Sequence, residues 1–217
     1  CTFSICTYVD YFIFLRDHNI NNKFNFVSNT ITNCYEYRGY DSPSICSYYQ
    51  YNYISKNSIS YGSNKARAYY FLSDRGLTFT GNTIKDSYTK GASGLQIEGN
   101  DNNGFNPLVF SDCVFTNTNG DRINEHFSTT FFLYRLSYAL TITNVTFQHC
   151  KKTYVENNHG KGYMIQIEPN KDTYTSPYVT FKNCKFSYLE FNGQNGGGIG
   201  MFIRKPPEDT NPERYSF

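Results

Sequence analysis

The residues best suited to chemistry are charged side chains that recur at one place in a repeating pattern. Arg16, Glu98, Arg135, Glu168 and Arg204 each follow a short apolar run, with Asp74 and Arg75 slightly displaced after another. Two carboxylates across an open groove are what a polysaccharide-cleaving enzyme requires, one as acid and the other as base or nucleophile. If the runs stack as neighbouring strands, Glu98 and Glu168 lie two rungs apart, about 9.6 Å, at the long limit for an inverting pair. Arg135 then falls between them. An arginine there favours the ionised form of both carboxylates, which suits an ion ladder or a contact surface better than a proton donor. Each exposed rung of such a ladder contributes only ~0.2–1 kcal/mol. The expected role of Glu98, Arg135 and Glu168 is ligand contact, and no catalytic residue is assigned.

Two loops supply the rest of the candidate binding set. EGNDNNGFNP at 98–107 brings Asp101, and EPNKDTYTSPY at 168–178 brings Asp172, Tyr174 and Tyr178. The first has acidic and amide oxygens but not the twelve-residue calcium loop with its terminal Glu, so neither a metal nor another cofactor is expected. Exposed tyrosines stack on sugar rings or anchor a protein partner, and they also stabilise wide strand faces. His18, His126, His149 and His159 lie in or beside connections, and no nucleophile has a visible partner. Gly196–Gly198 lacks the Lys-Ser/Thr of a phosphate loop and reads as a sharp turn before a strand.

These residues are positioned by a recurring frame. LTFTGNTI at 77–84 returns as FNFVSNTI at 24–31, LVFSDCVF at 108–115, LTITNVTF at 140–147 and VTFKNCKF at 179–186, with weaker copies at 54–59 and 3–8. The second apolar residue of each frame is Phe3, Phe26, Ile54, Phe79, Phe110, Ile142 or Phe181, at separations of 23, 28, 25, 31, 32 and 39. Apolar residues alternate at period two and change phase at short turns, which excludes a helix of useful length. A later apolar run completes each unit: YFIFL at 11–15, ICSYY at 45–49, AYYFL at 68–72, GLQIE at 94–98, TFFLY at 130–134, YMIQI at 163–167 and GMFI at 200–203. The expected fold is all-β, a right-handed parallel β-helix of about seven coils with three short strands per coil. A β-sandwich or propeller explains the repeat less well. The solenoid spans 1–203, and proline-rich 204–217 is a cap or linker, since three prolines forbid continued pairing.

Phe79, Phe110, Ile142 and Phe181 are expected to form one internal stack, with Asn82, Cys113, Val145 and Cys184 beside it at a constant offset of three residues. Cys6 is aligned with Cys113 and Cys184, and Cys34 with Cys150. Buried free thiols are the reading for 6, 113 and 184; disulfides and a metal site are the alternatives. The sequon Asn144-Val145-Thr146 falls in a turn.

The composition agrees with this architecture. The 217 residues carry a net charge of +2, with 21 Tyr, 19 Phe and 16 Gly. So balanced a charge gives no case for nucleic acid. There is no initiator Met, signal peptide or membrane-spanning run, and the chain opens inside a repeat. It is expected to be part of a longer protein.

FVSN at 26–29, ISKN at 54–57 and FTGN at 79–82 resemble the FxxN signature of polymorphic outer-membrane-protein repeats, and GGGI at 196–199 and GASGL at 91–95 its GGA-aliphatic companion. The Asn place is Cys at 113 and 184 and Val at 145. At fold level the chain resembles right-handed parallel β-helices of the pectin-lyase-like class. That resemblance implies either surface adhesins and autotransporter passengers or polysaccharide lyases and hydrolases. The expectation is a non-catalytic extracellular or cell-surface adhesin or stalk segment that binds a glycan or a cell-surface protein. A lyase or glycoside hydrolase is the alternative, and a structural spacer the third.

Overall fold

Alternation at period two turns one residue in two of each frame toward a shared interior, which successive frames close only by pairing with one another. The computed structural model describes residues 1–4, 7–8, 13–16, 23–32, 35–36, 43–48, 51–60, 67–73, 76–89, 95–99, 109–121, 131–136, 140–153, 165–169, 179–192 and 201–203. Among these there is no helix, and hence none long and apolar enough to cross a membrane. Every strand pair is parallel and joins one repeat to the next. The chain is all-β, a right-handed parallel β-helix.

The first strands of the frames form a sheet from Lys23–Val27 to Val179–Lys182. The second strands form a seven-stranded sheet from Thr2–Ser4 to Lys185–Ser187, and the later apolar runs another from Ile13–Arg16 to Met201–Ile203. Between the second strand and the later run lies a shorter element that the frame does not mark. Tyr88–Thr89, Asn119–Asp121, Lys151–Thr153 and Glu190–Asn192 form one small sheet, and Thr7–Tyr8 pairs with Tyr35–Glu36 in another.

The interior follows the register. Phe26 is opposite Ile54, and the column continues through Phe79, Phe110 and Ile142 to Phe181. The neighbouring column runs Phe3, Ile31, Ile59, Ile84, Phe115, Phe147, Phe186. Rings stack where they are adjacent. Phe79 and Phe110 are 5.4 Å apart, Phe115 and Phe147 5.1 Å, and Phe147 and Phe186 5.2 Å, all within 10° of parallel. Tyr69, from a later run, is fully buried and meets Phe79 edge-on at 5.2 Å. It therefore belongs to the core.

The pairing of Phe3 with Ile31 corrects the frame of the first coil. Phe3 belongs to the second strand and not beside Phe26. Cys1, not Cys6, then occupies the place of Asn29: the Thr30 amide donates to Cys1 O just as Ser58 does to Asn29 O and Thr83 to Asn57 O. Cys6 and Cys34 lie outside the described residues. Cys1, Cys113, Cys150 and Cys184 are free thiols.

Inside the turn between first and second strands, Asn29, Asn57 and Asn82 make an amide ladder. Asn57 Oδ1 accepts from the amide and Nδ2 of Asn29 at 2.9 and 3.1 Å, and Asn82 Oδ1 does the same for Asn57 at 3.1 and 3.0 Å. Each Nδ2 also reaches back to a first-strand carbonyl, Asn57 to Phe26 O at 2.7 Å and Asn82 to Ile54 O at 3.0 Å. Cys113 and Cys184 point Sγ at the corresponding carbonyls of Phe79 and Ile142, at 3.8 and 3.4 Å. Sulfur makes these contacts weakly.

Candidate binding ridges along the turns

The residue that precedes each inward turn position sits in the left-handed region. These are Ser28, Lys56, Gly81, Asp112, Asn144 and Asn183, with φ between 54° and 65°. Only one of the six is glycine. The conformation costs a non-glycine residue about 1–2 kcal/mol, and a hydrogen bond to the next coil holds it in place. Ser28 N donates to Ser55 O, Lys56 N to Thr80 O, Gly81 N to Ser111 O, Asp112 N to Thr143 O and Asn144 N to Lys182 O, at 2.9–3.1 Å. A second turn, after the second strand, repeats the device with Asp86, Asn117, His149 and Tyr188 at φ 51–56°. The amides of Asp86, Asn117 and His149 reach the next coil as well. Behind this row Ser87, Thr118 and Cys150 are buried, and Leu189 packs on the core.

The two turns thus present two outward rows at rung spacing, about 4.8 Å. In the first, Asn144 Nδ2 donates to Asp112 Oδ1 at 2.9 Å, and the hydroxyls of Thr80 and Ser111 share a hydrogen bond of 2.9 Å. The Asn144 bond, then Ser111, and Thr80 more weakly, hold the Asp112 carboxyl below the usual carboxylate range against a small opposing effect of burial. An acid so held is ionised at neutral pH and has no proton to give.

In the second row Asp86 accepts from Asn117 Nδ2 at 2.9 Å and Ser60 Oγ at 3.2 Å. His149 and Tyr188 stack face to face, 4.6 Å apart and 3° from parallel, and Tyr188 is 74% exposed. Lys151 and Glu190 pair at 2.9 Å beside them. A carboxylate, an amide, an imidazole and a phenol ring in line offer hydrogen-bonding and stacking groups to an extended partner. Among the described residues, no group of three His, Cys, Asp or Glu could hold a metal ion. The left-handed residues were not foreseen from sequence, although the constant five-residue step from Asn82 to Ser87, Cys113 to Thr118 and Val145 to Cys150 marks the second turn.

The expected charge ladder takes a different form. Glu98 is opposite Tyr134, and Tyr134 is opposite Glu168. The register shifts between Tyr134 and Leu136, so Arg135 has no place in the column. One extra residue in that strand displaces the arginine, as a bulge does. Arg16 is opposite Tyr48, which leaves no alternation of sign there either. Asp101, Asp172, Tyr174, Tyr178 and Arg204 lie outside the described residues, as do His18, His126, His159 and the glycines at 196–198. No protein-family model, curated protein or solved structure matches the chain.

Proposed function

We propose that this β-helix is a non-catalytic binding segment of an extracellular or cell-surface adhesin or stalk, which holds a glycan or a cell-surface protein along its turns and long connections. The observation that carries the reading is the contrast at the second turn. Ser87, Thr118 and Cys150 behind it are small and buried and Leu189 packs on the core, whereas the outward row passes from Asp86 through Asn117 and His149 to the exposed Tyr188. A core constrains its residues by packing; a row free of packing can be shaped to a partner. Asp112, ionised and hydrogen-bonded, suits contact rather than acid catalysis. The resemblance to FxxN repeats of surface proteins points the same way. Glu98, Asp101, Arg135, Glu168, Asp172, Tyr174 and Tyr178 remain proposed contacts from the neighbouring connections.

Binding to a glycan array and to intact cells tests this. Signal should fall at least tenfold for Tyr188→Ala or on trimming 98–107 or 168–178. An unchanged signal in all three would end the reading.

One observation favours the lyase or hydrolase alternative. With Arg135 out of the paired register, Glu98 and Glu168 lie two rungs apart in one column with Tyr134 between them. Turnover of acidic and neutral polysaccharides with calcium present, lost in Glu98→Gln or Glu168→Gln, would establish it.

A further inference from the structure

The first turn has a constant geometry. The left-handed residue and the residue two places on, which opens the second strand, lie on either side of one that packs inward. The pairs are Ser28 and Thr30, Lys56 and Ser58, Gly81 and Thr83, Asp112 and Val114, Asn144 and Thr146, and Asn183 and Lys185. Only the fifth joins an asparagine to a hydroxyl. Val145 between them is fully buried, Asn144 is exposed and Thr146 half-buried. The inward asparagines differ in kind: Asn57 and Asn82 have Nδ2 committed to core carbonyls, and Asn57 Nδ2 also donates to Asn82 Oδ1. Asn144 Nδ2 bonds instead to Asp112, another exposed turn residue.

We infer that Asn144 is an attachment site for an N-linked glycan, an inference that rests on the extracellular reading above. The motif of Asn, any residue but Pro, and Ser or Thr is the acceptor for this transfer. Here the fold leaves room for the product. In the transfer, Nδ2 forms a bond to the anomeric carbon of a sugar carried on a lipid diphosphate. The bond from that carbon to the diphosphate oxygen breaks, the diphosphate leaves with the electron pair, and the amide gives up one proton to a base. The secondary amide keeps one N–H, enough to retain the bond to Asp112. The glycan then stands on the first ridge, beside exposed Lys182, Asn183 and Lys185. It shields that ridge and leaves the second, with Tyr188, open to a partner. Asn29, Asn57 and Asn82 could not carry a glycan without emptying the turn they fill.

The test is translation of the 217-residue chain, behind a cleavable secretory leader, into microsomes. The expected result is a protease-protected product shifted by one glycan, reversed by peptide-N-glycosidase. Asn144→Gln and Thr146→Ala should each abolish the shift, and Thr146→Ser should keep it. Secreted glycosylated protein should melt within a few degrees of the Asn144→Gln protein. A protease-protected wild type with no shift would overturn the inference, as would a shift that survives Asn144→Gln. A glycosylated product that fails to fold where Asn144→Gln folds would do the same. Because the leader forces translocation, these failures speak against Asn144 alone. The extracellular reading stands or falls by the array and cell-binding measurements.

Discussion

In the coils that carry Asn29, Asn57 and Asn82 at the first turn, the next inward residue is Ile31, Ile59 or Ile84; in those that carry Cys113, Val145 and Cys184 it is Phe115, Phe147 or Phe186. The same space is filled in two ways. In the first group a polar amide sits beside an aliphatic side chain, and the amides satisfy one another and the carbonyls behind them. In the second a thiol or valine sits beside a phenylalanine, and ring stacking replaces hydrogen bonding. Cysteine is smaller than asparagine and phenylalanine larger than isoleucine, so that exchange nearly conserves volume, the kind of swap a packed core tolerates best. The lesson concerns cooperativity. An amide ladder is directional, and a missing member strands its neighbours, whereas a ring stack loses only contact area.

The largest effect belongs to the ring stack. Phe110→Ala empties the middle of the column between Phe79 and Ile142 and should lower stability by ~3–5 kcal/mol in chemical denaturation. A loss below ~1 kcal/mol would mean that the column does not carry the core. Asn57→Val comes next, at about 2–3 kcal/mol. It strands the Asn29 amide, removes one of the two acceptors of Asn29 Nδ2 and takes the side-chain donor from the Phe26 carbonyl, and unsatisfied buried groups cost ~1–3 kcal/mol each before the turn relaxes. If Asn57→Val proved as mild as Cys113→Val, the contrast between the two groups would be false.

Volume exchange gives the sharper test. Asn82→Cys combined with Ile84→Phe recreates the Cys113–Phe115 pair one coil earlier. The double variant should be more stable than the sum of the singles predicts, by ~0.5–1.5 kcal/mol. Strict additivity would mean that the two positions are filled independently. A smaller change is expected on the surface: Lys151→Ala removes the ion pair to Glu190 and should cost under ~1 kcal/mol, less in high salt.

Smallest of all at neutral pH is the effect of thiol ionisation. Burial pushes the Cys113 thiol from 9.0 up to about 12, while hydrogen bonds from Asn82 and the Gly81 amide pull the other way. A value raised by folding gives a stabilisation fully present below 9.0 and lost as pH rises through about 12. Nothing should change at pH 7, and Cys113 should resist alkylation until the chain unfolds, whereas exposed Cys1 reacts at once. Mass analysis showing equal labelling of the two would refute the buried assignment.

Where sequence succeeded and where it did not has a physical pattern. The run Phe79, Phe110, Ile142, Phe181 is legible because each residue stands three places before a turn residue, and a buried column preserves that offset. Phe3 was placed in the wrong strand because a frame of period two fits the first and second strands almost equally well in so short a stretch. Arg135 was misplaced for a different reason. The extra residue follows Phe131 and Leu133, after the apolar alternation has ended, and leaves no trace in it. Of the proposed contacts, the register orders only Glu98 and Glu168. The ridge is only partly legible from propensity: Gly81 and the Asp, Asn and His positions favour left-handed turns, but Tyr188 and Lys56 do not, and Lys56 adopts one because a carbonyl of the next coil holds its amide.

That inter-coil hydrogen bonding also has a mechanical side. The bonds between successive coils run along the axis, so tension between the two ends acts on them directly and opens one coil at a time. From Phe110 to Ile142 the chain advances 32 residues for a single rung of about 4.8 Å. Pulled straight, the same residues reach ~110 Å. One yielding coil would therefore lengthen the molecule more than twentyfold over its own rise while its neighbours stay folded, making the helix an extensible tether that absorbs work in discrete steps.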